Sequence, residues 1–355
     1  MKNLQIGKTK NIKNKIQKFK EKKIMKIVKE KYQKLSFIEL QKYIKFIKDT
    51  FERQLAQYLT LTRVSAPILV TKKSGLQDDL SGVERKVAFD LKQDGEEVEI
   101  VQSLAKWKRF ALAKYGFAKH TGLYTDMTAI RRDDKMDFTH SIYVDQWDWE
   151  KVIEKKDRCM SYLKKTVRQI AQAIKKASEL LKAKGFEGVD ICETVKFVTS
   201  EELRLLYPTL DPKEREYEIT KKYKTVFIMQ IGGKLGDGTI HDTRAPDYDD
   251  WSLDGDLMYY HEVLDMALEI SSMGIRVDKK TLLAQLKESK KEDKLEFAYH
   301  KAIVAEELPL TIGGGIGQSR LCQLLLGRIH IGEVQASYWD EKTIQLCKDL
   351  EIDLL

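Results

Sequence analysis

Apolar positions recur at helical spacing from residue 40 onward. Leu40, Tyr43, Ile44, Ile47, Phe51, Leu55 and Tyr58 fall on one face. Ser36 followed three residues later by Glu39 is a capping box, so the helix is expected to begin there and to end near Leu59. The pattern then changes to a strand over residues 62–70, and Pro67 within it assigns an edge or a strand end. The polar, glycine-punctuated stretch 72–84 reads as a loop, and 87–91 with 98–102 as a hairpin around Asp94-Gly95. A helix over 103–115 follows, then a strand from Gly122 into the charged loop Arg131-Arg132-Asp133-Asp134.

Residues 139–150 alternate as a strand, with Tyr143, Asp145, Trp147 and Trp149 on one face and His140, Ile142, Val144, Gln146 and Asp148 on the other. A long amphipathic helix is expected over 150–184, helices over 200–206 and 212–223, strands over 226–231 and 256–260, and a helix over 281–305. Gly313, Gly314, Gly315 and Gly317 then crowd one strand, followed by Arg320 and an apolar helical run. Glycine inside a strand marks a bulge or the close approach of a ligand or another backbone. Arg320 near a helix start sits against a positive dipole end, where a nearby anion would suit it. Connections made of hairpins and long helical excursions argue for an α+β fold with a mainly antiparallel sheet flanked by helices.

Charge divides the chain. The 355 residues carry +8, yet residues 1–34 alone hold thirteen lysines against Glu21 and Glu30, a charge of +11, which leaves −3 for the rest. The expected organisation is a flexible lysine-rich extension over 1–34 and a single catalytic domain over 35–355. The extension is read as a solvated tail, with loose contact to RNA or another polyanion as the rival reading. No apolar run reaches the length of a membrane span, and no secretory signal is visible. The four cysteines are far apart and form no Cys-x-x-Cys pair, which fits a reducing cytoplasm.

The candidate chemistry lies in two charged groups: Lys106, Lys108, Arg109, Arg131, Arg244, Arg276 and Arg320, and Asp78, Asp145, Asp148, Asp247, Asp249, Asp256 and Glu269. Most sit in strands or at strand ends, where charge is costly unless it is paired or meets a ligand. Guanidinium forks suit phosphates and carboxylates, and carboxylates beside phosphate suit Mg²⁺. The set therefore describes a site for a polyphosphate, a divalent metal and a small charged substrate. An internal ion-pair network is the competing reading. Patterns for a serine or cysteine nucleophile and for zinc hydrolysis are missing, and His140 and His241 are read as structural.

The order of these motifs resembles the catalytic core of class II aminoacyl-tRNA synthetases. The helix and Pro67 strand resemble their dimer-forming motif 1, Arg131 their α-phosphate arginine, and the glycine strand with Arg320 their γ-phosphate arginine. Residues 103–109, 143–150, 244–251, 271–277 and 313–320 are more similar still to the ammonia-dependent aspartate–ammonia ligases of that superfamily. That resemblance implies synthesis of asparagine from aspartate, ammonia and ATP through a β-aspartyl-adenylate, with release of AMP and pyrophosphate. It implies Arg131 at the α-phosphate, Arg320 at the β/γ end, Mg²⁺ on Glu269 and Asp256, and adenine against the strand of Gly313, Gly314, Gly315 and Gly317 under Arg131. Asp78 and Gln146 are expected at the substrate amino group and Lys108 at a carboxylate, with Asp249 and Ser272 in the same pocket. Asp78 is also a candidate proton acceptor from ammonium. A homodimer is expected, with no membrane partner and no nucleic acid beyond contacts of the tail.

Three features depart from the resemblance: the lysine-rich extension, Arg131-Arg132-Asp133 where synthetases show Arg-x-Glu, and a short connection from Trp251 to Asp256. Two other functions compete, tRNA charging and a non-catalytic paralogue. No segment resembles an anticodon-binding domain.

Overall fold

The capping box forms as the spacing predicts. In this computed structural model, which describes residues 34–355, the Glu39 N–H donates to the Ser36 hydroxyl at 3.3 Å and the Ser36 N–H to the Glu39 carboxylate at 3.0 Å. Helix α1 (Phe37–Leu59) follows and buries Leu40, Ile44, Ile47, Phe51, Leu55 and Leu59. The lysine-rich extension, apart from Lys34, lies outside the described residues.

Eleven strands form two sheets among the described residues: β1 (Leu61–Arg63), β2 (Leu69–Thr71), β3 (Ala88–Asp90), β4 (Glu97–Ile100), β5 (Gly122–Ile130), β6 (Tyr143–Val152), β7 (Lys196–Thr199), β8 (Thr225–Met229), β9 (Asp249–His261), β10 (Met266–Arg276) and β11 (Thr311–Gly317). The large sheet has the order β1-β5-β6-β11-β10-β9-β8-β7, and β2-β4-β3 form a small one. Only the outermost pairs, β1 with β5 and β7 with β8, are parallel. The middle of the sheet is antiparallel, as hairpin-type connections require.

The alternation in β6 sets which face does what. Trp147 and Trp149 enter the main core with α1 and with α3 (Met160–Ala183), and the Phe51 and Trp147 rings lie 4.7 Å apart. Gln146, Asp148 and Glu150 then point to the opposite face. Beside that face runs α2 (Ala105–Tyr115), whose Lys106, Lys108 and Arg109 are buried.

Several expected elements are corrected. The strand over 62–70 is broken into β1 and β2, which belong to different sheets; Pro67 lies in the break. The expected helix from 150 begins at Met160, because Lys151 pairs with both β5 and β11 and Val152 with β11. The helix over 281–305 is split into α6 (Lys279–Glu288) and α7 (Ala298–Val304). Between them, Ser289-Lys290-Lys291-Glu292-Asp293 offers no apolar residue to bury, and Lys290 turns to φ 55°. The short helices α4 (Ser200–Leu206) and α5 (Pro212–Tyr223) fall as expected, and α8 (Gln318–Leu325) follows the glycine strand directly. The last helix is α9 (Glu341–Asp349). The shortened stretch after Trp251 is continuous strand within β9.

Candidate active site

Strand register lines up the charged positions. Gly315 of β11 faces Asp148 of β6 on one side and Ser272 of β10 on the other, and Ser272 faces Asp256 of β9. The next row repeats the arrangement with Glu150, Gly313, Gly274 and Asp254. Glycines are needed here because neighbouring side chains fill the space. A Cβ on Gly313 would meet Glu150 Oε2 at 2.0 Å and Arg276 Nη2 at 2.7 Å, and one on Gly315 would meet Gln146 Oε1 at 2.4 Å. On Gly314 a Cβ would meet Met273 at 2.5 Å.

Two cavities, of about 390 and 280 Å³, open over this face. Arg131, Asp134, Gln146, Glu269 and Gly315 line both. Arg320 and Gly317 line the first alone. Asp78, Lys108, Arg244, Asp249, Ser272 and Gly314 line the second alone. Two of the expected site residues, Gly313 and Asp256, line neither.

Local bonds position each group. Arg131 is fixed by its Nε, which donates to Gln102 O at 3.1 Å. Arg320 donates from Nη1 to Glu269 O at 3.0 Å, and its Nη1 lies 3.9 Å from Glu269 Oε2. Burial works to raise Glu269, but Arg320 and Arg244 outweigh it and hold the carboxyl below its usual value. Lys108 donates to Asp148 Oδ1 at 3.0 Å and to Gly314 O at 2.9 Å, and burial pushes its pKa down. Asp78 accepts from Ser103 Oγ at 2.6 Å and from Leu80 N at 2.8 Å.

Asp256 lies behind the cavities. Its Oδ2 accepts from Arg244 Nη2, while Oδ1 is buried without a hydrogen-bond partner. Burial raises Asp256 to about 7, with Arg244 opposing and Glu269 adding to the shift. Two neighbouring carboxylates, one with an unshared oxygen, are a donor set that suits a hard cation completed by phosphate oxygens.

Other charges serve the interior. Lys106, Lys294 and His300 converge on Asp247 Oδ2 at 2.7, 2.8 and 3.0 Å. Arg109 donates to Pro309 O at 2.9 Å and Val277 O at 2.6 Å. None of Lys106, Arg109 and Asp247 lines either cavity, so the ion-pair reading holds for this part of the set. Asp145 reaches the first cavity, yet its oxygens accept from Ser319 N at 3.0 Å and Lys48 Nζ at 3.0 Å.

Sequence reasoning gives Asp134 no role, and it puts Glu150 at the junction of a strand and a helix with no role at the site. Asp133 faces outward, where Arg85 donates to it from N at 2.7 Å and Nε at 3.0 Å. The next residue, Asp134, turns into both cavities instead. Arg244 was seen as a cation but given no role, although its Nη1 lies 3.3 Å from Ser272 Oγ on the wall of the second cavity.

Asp254, under Gly274, carries a stability prediction. Burial raises its pKa well above the ordinary value, and neighbouring Asp249 adds to this. A raised carboxyl stabilises the fold below its unfolded pKa and loses that contribution as pH rises through the folded one. Asp254→Asn keeps an oxygen to accept from Ile231 N, which donates at 2.9 Å. The variant is expected to unfold at higher denaturant than the parent at pH 8, with the difference closing toward pH 4; an unchanged gap across that range would contradict the assignment.

Comparison with known proteins follows this geometry. A family model described as aspartate–ammonia ligase matches residues 38–351. An aspartate–ammonia ligase from Clostridium perfringens is 53% identical over 324 residues, covering 90% of this chain and 96% of that protein. One from Bacillus cytotoxicus is 53% identical over 325 residues, covering 91% and 99%. Among solved structures, the chain is similar to asparaginyl-tRNA synthetase from Pyrococcus horikoshii complexed with asparaginyl-adenylate, with TM-score 0.60 at 16% identity over 84% of this chain and 68% of that one. That likeness gives the fold: the α+β core is class II synthetase-like.

Proposed function

Because the chain belongs to the aspartate–ammonia ligase family, and so is a ligase of asparagine synthesis, we propose that it works through a β-aspartyl-adenylate and releases AMP and pyrophosphate. The observation that carries this reading is the pair of charged lobes that meet at Arg131, Gln146 and Glu269. ATP occupies the lobe of Arg320 and aspartate the lobe of Asp78, Lys108 and Arg244. A β-carboxylate oxygen of aspartate then attacks the α-phosphorus, and the bond from that phosphorus to pyrophosphate breaks.

Arg131 neutralises charge developing at the α-phosphate, and Arg320 holds the β/γ end. Lys108 and Arg244 take carboxylate oxygens, while Asp78 and Gln146 take the amino group; Asp249 and Ser272 complete that wall. Adenine lies on the Gly315 to Gly317 end of β11, since Gly315 and Gly317 line the lobe of Arg320 and Gly313 lines neither lobe. Glu269, with the unshared oxygen of Asp256 behind it, would hold Mg²⁺, which when bound screens phosphate charge.

Formation of AMP and asparagine from aspartate, Mg·ATP and ammonium tests the reading. Equal amounts of both are expected, with no product when glutamine replaces ammonium, because no glutaminase cysteine is visible in the sequence. The synthetase-like fold favours tRNA charging as the second reading. Aminoacylation of tRNA without ammonia-dependent asparagine would establish it. Working surroundings in the cytoplasm and a homodimer built on α1 and β1 belong to the same proposal; no described helix is long and apolar enough to cross a membrane.

A further inference from the structure

Forming the amide requires a proton acceptor. Ammonia attacks the acyl carbon of the adenylate, the new nitrogen carries an extra proton, and that proton must leave as AMP departs. The second cavity is lined by six carboxylates: Asp78, Glu84, Asp134, Asp148, Asp249 and Glu269. Five of them are engaged. Asp78 accepts from Ser103 and Leu80, and Glu84 from Ser81 and its neighbouring backbone. Asp148 is held by Lys108 and Leu104 N, Asp249 by Arg276, and Glu269 faces Arg320 and Arg244.

Asp134 differs. Its backbone N–H donates to Arg131 O at 3.1 Å, a turn that sets the residue beside that arginine. Its carboxylate has no side-chain hydrogen bond or ion pair among the described residues, and it lines both cavities. We propose that Asp134 is the base that takes the proton from the attacking ammonia during the second half-reaction. This rests on the adenylate reading above.

The step balances. The nitrogen lone pair forms the C–N bond as the carbonyl pair moves to oxygen. Asp134 then takes one proton from nitrogen. The oxygen pair returns, the acyl C–O bond breaks, and its electrons leave on the AMP phosphate oxygen. The protonated carboxyl passes its proton to water. The surroundings match the task. Burial raises Asp134 above the ordinary carboxylate value; Arg131 and His140 from its own loop and Arg320 from α8 oppose this, and Glu84 from the facing loop adds to it. A carboxylate with a raised pKa is a better base near neutrality.

The experiment measures three rates in Asp134→Asn: aspartate-dependent exchange of pyrophosphate into ATP, asparagine formation with ammonia, and aspartyl hydroxamate formation with hydroxylamine. Exchange is expected to change little. Asparagine formation is expected to fall by about 10²-fold or more, the usual contribution of a positioned base. Hydroxamate formation is expected to fall much less, because the less basic hydroxylamine gives an adduct that sheds its proton to water readily. Asp134→Glu should recover part of the ammonia reaction. Asp78→Asn is expected to weaken all three rates together through aspartate binding.

Equal loss of exchange and amide formation in Asp134→Asn would overturn the proposal and make Asp134 a nucleotide-positioning group. So would unaltered asparagine formation, or a loss confined to amide formation in Asp78→Asn. A parent enzyme that forms asparagine but supports no exchange would instead refute the adenylate reading itself.

Discussion

Arg131→Ala is expected to lower aspartate-dependent exchange of pyrophosphate into ATP by about 10³-fold, the scale of losing a donor aimed at developing transition-state charge. The expectation follows from its position. Arg131 lines both lobes, and its Nε is anchored on Gln102 O, which leaves its two terminal nitrogens without a hydrogen bond to the described residues at the junction of the lobes. The side chain is only partly buried, so its loss opens no core cavity, and the unfolding midpoint should stay near that of the parent. Arg131→Lys restores the charge without the planar fork and should recover only a small part of the rate. A loss of less than tenfold in the alanine variant would remove Arg131 from the chemistry.

Arg276→Ala should cost about 3–5 kcal/mol of stability, the usual result of stranding buried charges. Arg276 is 2% exposed and donates from Nε to both Glu150 oxygens at 3.1 Å, from Nη2 to Glu150 Oε2 at 2.8 Å, and from Nη1 to Asp249. Burial alone would raise Glu150, yet Arg276 and Lys108 hold it below its ordinary value. A depressed carboxylate contributes stability above its unfolded pKa and loses it as pH falls through the folded one. Without Arg276 the shift reverses, and ionising Glu150 becomes a penalty that grows as pH rises. The urea midpoint of the variant should therefore fall further below the parent at pH 8 than near pH 4.5. A gap that does not change with pH would show that packing and not charge dominates at this position.

How much of this was legible in the sequence depended on whether a feature is local. The Ser36–Glu39 box and the stripe from Leu40 to Leu59 are local, and α1 runs as read. The glycine strand leading to Arg320 was legible for the same reason. Residues 151–159 were not: Val152 and Ile153 continue a helical phase, but pairing with β11 and β5 keeps Lys151 and Val152 in the strand, and a 3-10 turn at Lys155–Asp157 precedes the helix. The acid-rich β9 hides its strand character, because the partners that neutralise it come from elsewhere: Arg158 for Asp250, Arg244 for Asp256, Ile231 N for Asp254. Asp133 and Asp134 are neighbours of one residue type. Which of them enters the cavities depends on Arg85, 48 positions earlier in the chain. The glycines read as marking the close approach of a ligand or another backbone; the groups over them belong to this chain, Glu150 and Arg276 at Gly313, Met273 and the Ser272 carbonyl at Gly314, and Gln146 with Asp148 at Gly315.

The place of β11 has a consequence for biosynthesis. β6 and β10 are not neighbours; β11 lies between them and pairs with both. Among the described strands it is also the last in chain order. Until residues 311–317 emerge, β6 and β10 each present an unpaired edge, Lys108 lacks its bond to Gly314 O, and the two lobes share no floor. A nascent chain is thus most prone to aggregate just before this strand emerges, and the centre comes into being in one event. Truncation anywhere before the glycine strand should leave no partly active product, only a chain with an open seam.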